Sequence, residues 1–157
     1  RKSIMNIVNH LKSMINLLLF STLALVLLTT TAIAETPFPG KLPVTVTSIE
    51  AANIIHVNLE TWPGFRRDIR IILPDLVLPG QGENVKECEL TLAKQAYDFT
   101  ANFLSEAKDV SVKDMWMKNS ASPDAISSIY TNNGTLDDAL RKEGLAKPVS
   151  ARNEPWC

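Results

Sequence analysis

The hydrophobic period of this chain changes once, and that change limits the folds open to it. Before residue 73 apolar residues recur at every second position. Ile55, Val57 and Leu59 alternate with His56 and Asn58, and Ile69, Ile71 and Leu73 alternate with Asp68, Arg70 and Ile72. That is the period of strands with one face buried. From near Glu87 to Ala107 the spacing becomes helical. Leu92, Ala96, Phe99 and Phe103, joined by Ala93, Leu104 and Ala107, share one face, while Lys94, Gln95, Asp98 and Asn102 take the other. Closely spaced strands followed by one long helix predict an α+β domain built on a strongly curved sheet.

The punctuation between these runs sets the order of elements. Residues 35–43 form a Pro-rich leader (Pro37, Pro39, Pro43), expected as a loosely held arm. Val44 to Glu50 reads as the first strand, Ala51-Ala52-Asn53 as a tight turn, and Ile54 to Leu59 as the second strand. Thr61-Trp62-Pro63-Gly64 is the next turn. The third strand, Phe65 to Leu73, stops at Pro74, which has no N–H for a ladder. After the helix come a fourth strand, Val110 to Met117, a polar loop from Asn119 to Asp124, and a fifth strand, Ile126 to Thr131. Asn132-Asn133-Gly134 turns into a short helix capped by Thr135, with Asp137 and Asp138 in its first turn and Gly144 at its end. This order predicts a five-stranded OB-type β-barrel, with a long helix between strands 3 and 4 and a short helix after strand 5.

The segment before residue 35 is of a different kind. The chain opens at Arg1, with Met5 and Met14 as candidate starts; Lys12 precedes an apolar run from Leu17 to Leu28, and Ala32-Ile33-Ala34 follows. A base, a short apolar core and a small-x-small site are the parts of a secretory signal peptide, with cleavage expected after Ala34. The alternative is an uncleaved N-terminal membrane anchor, for which the apolar core falls short of the ~20 residues of a spanning helix. The expected protein is therefore periplasmic or secreted, running from residue 35 to 157, monomeric, with no stable membrane span. Sixteen basic and seventeen acidic residues give the whole chain a charge of −1. The removed segment holds Arg1, Lys2 and Lys12 and no acid, so thirteen bases remain against seventeen acids, or −4. Nucleic-acid affinity comes mainly from Lys and Arg on phosphates, so binding is expected to be weak.

Cys88 and Cys157 both lie in the exported part. In an oxidising compartment two cysteines make one bridge with one possible connectivity. The alternatives are two free thiols or a metal site, and two cysteines without a partnering histidine make a poor zinc site.

Five pieces of the sequence, in this order, carry a resemblance. They are Trp62-Pro63-Gly64; Ile69-Arg70-Ile71 leading to Asp75; Cys88-Glu89-Leu90 with Ala93-Lys94-Gln95-Ala96 and Phe99; Ile129-Tyr130 with Gly134 and Leu136; and Gly144-Leu145-Ala146 before Trp156-Cys157. Together they resemble the thermonuclease (staphylococcal nuclease-like) family, especially its small exported bacterial members, across nearly all of residues 44–157. The resemblance implies calcium-assisted hydrolysis of DNA and RNA phosphodiesters. In that chemistry a cation polarises the phosphate, two arginines stabilise charge, and a glutamate activates water. It places the first arginine at Arg70 and a metal-binding carboxylate at Asp75. The other positions depart from the pattern. The first metal aspartate falls on Asn53, the base glutamate on Leu78, and the second arginine near Asp124 or Ala125. Glu83, Glu87 or Glu89 could substitute for the missing base.

Each of these residues has a plainer reading. Arg70 and Asp75 would form an ion pair tying the third strand to its loop. His56 would be a solvated strand residue, and Asn53 a turn residue tolerating a left-handed backbone. Trp62 and Trp156 would be packing residues, and Met115-Trp116-Met117 the buried and edge surface of the fourth strand. The favoured expectation is an exported module with a degenerate nuclease centre, binding an unidentified extracytoplasmic partner, with no cofactor. The alternatives are an active divergent nuclease using Ca2+, and an OB-barrel binder of a partner that is not nucleic acid.

Overall fold

The computed structural model describes residues 38–117 and 122–157. The expected signal peptide, residues 35–37 of the leader, and residues 118–121, which include the first half of the polar loop, lie outside them. Contacts divide the chain after Ala34, and residues 35–157 form a compact unit of their own. The buried core and the disulfide both lie within that unit.

The architecture is mixed α+β. One sheet runs from β1 (Phe38–Pro43), β2 (Thr45–Ala51), β3 (Ile54–Trp62) and β4 (Phe65–Ile72) to β6 (Val110–Met117), β7 (Asp124–Ile126), β8 (Ile129–Thr131) and β9 (Gly134–Thr135). A two-residue strand, β5 (Leu76–Val77), pairs separately with β10 (Lys147–Pro148). The helices are α1 (Glu87–Ser105) and α2 (Leu136–Lys142), followed by a short 3-10 turn, Val149–Ala151. The main sheet has the order β2-β3-β4-β7-β6-β8-β9, with β1 added to β6. β4 and β7 are parallel, and the other pairs are antiparallel. The Val44 N–H, between β1 and β2, donates to the Val110 carbonyl at 3.0 Å. That bond ties the β1–β2 junction to the start of β6, so β2, at one end of the sheet, curls toward β6.

The period-2 runs bury the residues they should. Ile55, Val57, Leu59, Ile69, Ile71 and Leu73 are all core. α1 lays Ala96, Thr100 and Leu104 on that core. Thr100 is the unexpected member, and its hydroxyl donates to the Ala52 carbonyl at 3.0 Å, fixing the helix to the β2–β3 turn. Glu87 and Glu89 sit in the first turn of α1, where the helix dipole favours them. Gly80 has φ 76°, and a Cβ there would stand 3.1 Å from Ala93 Cβ, so only glycine lets the 76–80 loop lie this close to α1. α2 ends with the Leu145 N–H on the Leu140 carbonyl (2.9 Å) and the Gly144 N–H on the Arg141 carbonyl (3.0 Å), the paired bonds of a Schellman motif.

Two expectations change. The Pro-rich leader is not a loose arm from Phe38 onward, because it forms β1 against β6. The expected fifth strand, Ile126 to Thr131, is two strands. The buried Ser127 hydroxyl meets both the N–H (3.3 Å) and the carbonyl (3.0 Å) of Lys113. That side-chain bonding marks the break: β7 pairs with β4 and with the end of β6, and β8 with the start of β6.

Candidate functional site

A row of polar side chains crosses the face of the sheet opposite the core. The register sets it: Ser48 lies opposite His56, His56 opposite Arg70, and Arg70 opposite Asp124. Glu50 stands where the β2–β3 register shifts, between Ile49 and Ala51, and its carboxylate joins the row. Arg70 Nε and Nη2 donate to Glu50 Oε2 and Oε1, both at 2.8 Å, in a bidentate fork. Arg70 Nη1 donates to Asp124 Oδ1 at 3.3 Å. His56 Nε2 meets Glu50 Oε2 at 2.8 Å. The backbone holds the far end in place, since the Arg70 N–H donates to the Pro123 carbonyl at 2.9 Å.

These contacts govern the charges. The Arg70 guanidinium, and after it His56, hold the Glu50 carboxyl down to about 2, against an ordinary 4.5. Glu50 in turn raises Arg70 above its already high value, with a smaller contribution from Asp124. Arg70 has spent three of a guanidinium's five N–H groups on its own chain. Two carboxylates stand beside it, so the cluster carries a net negative charge when His56 is neutral. An incoming phosphate meets that charge as well as the guanidinium.

The ion pair expected between Arg70 and Asp75 is absent; Glu50 and Asp124 take its place. Asp75 is exposed in the turn after β4, with φ 52°. The left-handed backbone expected of Asn53 is found at Asp75 and Asp114 instead. Asn53 serves the turn through its carbonyl, which accepts from the Leu73 N–H at 2.9 Å. Its side-chain Oδ1 is buried without a partner. Leu78 is part of the core, 6% exposed. A hard cation such as Ca2+ needs several charged oxygens around one point. An exposed aspartate, an amide and a core leucine do not fit that requirement. Among the described residues, no three His, Cys, Asp or Glu side chains converge as a metal ion would require.

The substitute carboxylates lie elsewhere. Glu83 and Glu87 are exposed, and Glu89 is half-buried near the start of α1. Glu89 lines a cleft of about 590 Å³ with Leu78, Gln81, Arg152, Glu154 and Trp156. The Cys88–Cys157 disulfide closes the chain's end onto α1 beside this cleft, with Cα atoms 6.5 Å apart. Lys147 Nζ sits 4.4 Å from the centre of the Trp156 ring and donates to the Pro155 carbonyl at 3.0 Å. Trp156 therefore packs as expected. Trp62 does not: it is 72% exposed at the tip of the β3–β4 hairpin. Met115 is buried and Trp116 exposed, the division expected for that strand.

Glu50 and Asp124 are the site residues that sequence reasoning missed as partners of Arg70. Only Glu50 left a signal, as an acid at the end of the first strand on the face of His56 once that strand is paired. No family model matches the chain, and no curated protein matches it.

Proposed function

We propose that this chain is an exported binding module built on a thermonuclease-type OB barrel whose nuclease centre is degenerate. The observation that carries the reading is the commitment of Arg70 to Glu50 and Asp124. A transition-state arginine works by offering unspent donors to charge that develops on the substrate. Here most of that donor capacity serves the sheet, and the flanking carboxylates oppose a phosphate. The base position is a core leucine, and general-base help alone is worth ~10²–10⁴ in rate. What remains is a stable curled sheet with exposed surface for a partner outside the cytoplasm.

Calorimetric titration tests the reading. Residues 35–157 should give no specific heat with Ca2+, and should bind single-stranded DNA no tighter than the ~10⁻⁴–10⁻⁶ M of non-specific contacts at physiological salt. A sub-micromolar affinity for DNA with a steep salt slope would overturn it.

A further inference from the structure

The β3–β4 hairpin leaves the core before it ends. Residues 60–68 are all exposed, so the outer part of the hairpin stands out as a finger. Trp62 and Phe65 face each other across its tip, each 72% exposed. Pro63 and Gly64 (φ 83°) supply the fixed negative φ and the positive φ of a type II turn, which holds the two rings at the apex. Arg66 and Arg67 come next. Successive strand residues point to opposite faces, so the two guanidiniums flank the finger on both sides.

The neighbouring acids hydrogen-bond within the hairpin, and the arginines make no ion pair. Glu60 accepts from the Gly64 N–H at 3.0 Å, and Asp68 from the Asn58 amide at 2.8 Å. Among the described residues neither Arg66 nor Arg67 has an ion-pair partner. Both acids keep their charge, so residues 60–68 balance two arginines with two carboxylates; beside the apolar aromatic point stand two arginines free of ion pairs, on a domain whose net charge is negative.

We infer that this finger docks the protein on an anionic phospholipid surface, with Trp62 and Phe65 at the headgroup–acyl boundary and Arg66 and Arg67 on lipid phosphates. The inference rests on reading the chain as a binding module, and it names the partner. Aromatic rings prefer that boundary, and arginine stems can lie along apolar surface while their heads reach the phosphates. The shape favours lipid over a nucleic-acid strand. A strand needs a groove that tracks its backbone, whereas this tip is convex and only two side chains wide. The acidic remainder of the domain would face away from the membrane, orienting the docked protein.

The test is sedimentation of residues 35–157 with vesicles of phosphatidylcholine alone and of phosphatidylcholine mixed with phosphatidylglycerol. Binding should require phosphatidylglycerol and weaken with salt. Trp62→Ser with Phe65→Ser should abolish it, and Arg66→Gln with Arg67→Gln should reduce it by about tenfold or more. Trp62→Phe should keep the binding but lose the blue shift of tryptophan emission seen on mixing with vesicles. All three variants alter exposed side chains, so unchanged melting curves serve as the folding control. Absence of binding to phosphatidylglycerol vesicles would overturn the inference, as would binding untouched by the tip variants. Tip-dependent binding of single-stranded DNA, with none to vesicles, would assign the finger to nucleic acid. The proposed function fails on the calcium and DNA titrations, which do not involve vesicles, so the two failures are distinct.

Discussion

Arg70 and Glu50 lie on strands separated by β3, yet their side chains meet through two 2.8 Å hydrogen bonds that span it. Asp124 on β7 takes the other side of the same guanidinium. One side chain therefore links three strands, including β4 and β7, the parallel pair in the main sheet. Arg70→Ala should lower the melting temperature more than Glu50→Gln does, because it strands two carboxylates rather than removing one. Thermal melts of both single variants and the double variant would check this, with non-additive losses expected for a shared contact.

The pH dependence follows from Glu50. Its folded carboxyl titrates near 2, below its ordinary 4.5. Its contribution to stability is thus fully present above about 4.5 and is lost as pH falls through about 2. The gap in melting temperature between the protein and Glu50→Gln should close as pH falls from about 4.5 to about 2. A gap that persists at pH 2 would show that Glu50 acts by packing instead.

Reduction should cost more than any surface variant. The disulfide joins residues 69 apart, and loop-closure entropy gives such a cross-link roughly 4 kcal/mol. For a domain of this size that is on the order of 10 °C in melting temperature. Scanning calorimetry with and without reductant reads it, and two freely alkylatable thiols in the unreduced protein would contradict it.

Restoring the carboxylates of the resembled pattern should harm the fold. Leu78→Glu places a carboxyl in the core, which costs about 3 kcal/mol or more. Asn53→Asp puts charge on an oxygen that is already buried and unpartnered. Denaturant melts of the two variants would show it. Variants as stable as the parent would mean that the loop opens readily enough to solvate both acids.

Local signals recovered some elements and failed where long-range partners decide. α1 comes within two residues of its predicted bounds because it repeats one period over several turns. β6 has the bounds its sequence pattern predicts, although its alternation breaks at Lys113-Asp114, where Asp114 has φ 47°. β1 was hidden by its prolines, yet it pairs with β6, and the Gly40 N–H bonds Asp114 Oδ1 at 3.1 Å where the register shifts. The break at Ser127 and the buried Thr100 are both polar side chains bonding backbone atoms far along the chain. The same reason hid the site. Arg70 was visible as a mid-strand charge, but its acceptors lie 20 and 54 residues away, and only the register of β2, β3, β4 and β7 reveals them.

Plasmid nicking, with and without Ca2+, by residues 35–157 and by Arg70→Ala tests the central claim most directly. If Arg70 is a structural tie, neither protein cleaves DNA above background, and the variant differs only in stability. Calcium-dependent cleavage by the unmodified protein, lost in Arg70→Ala, would contradict it and make Arg70 catalytic.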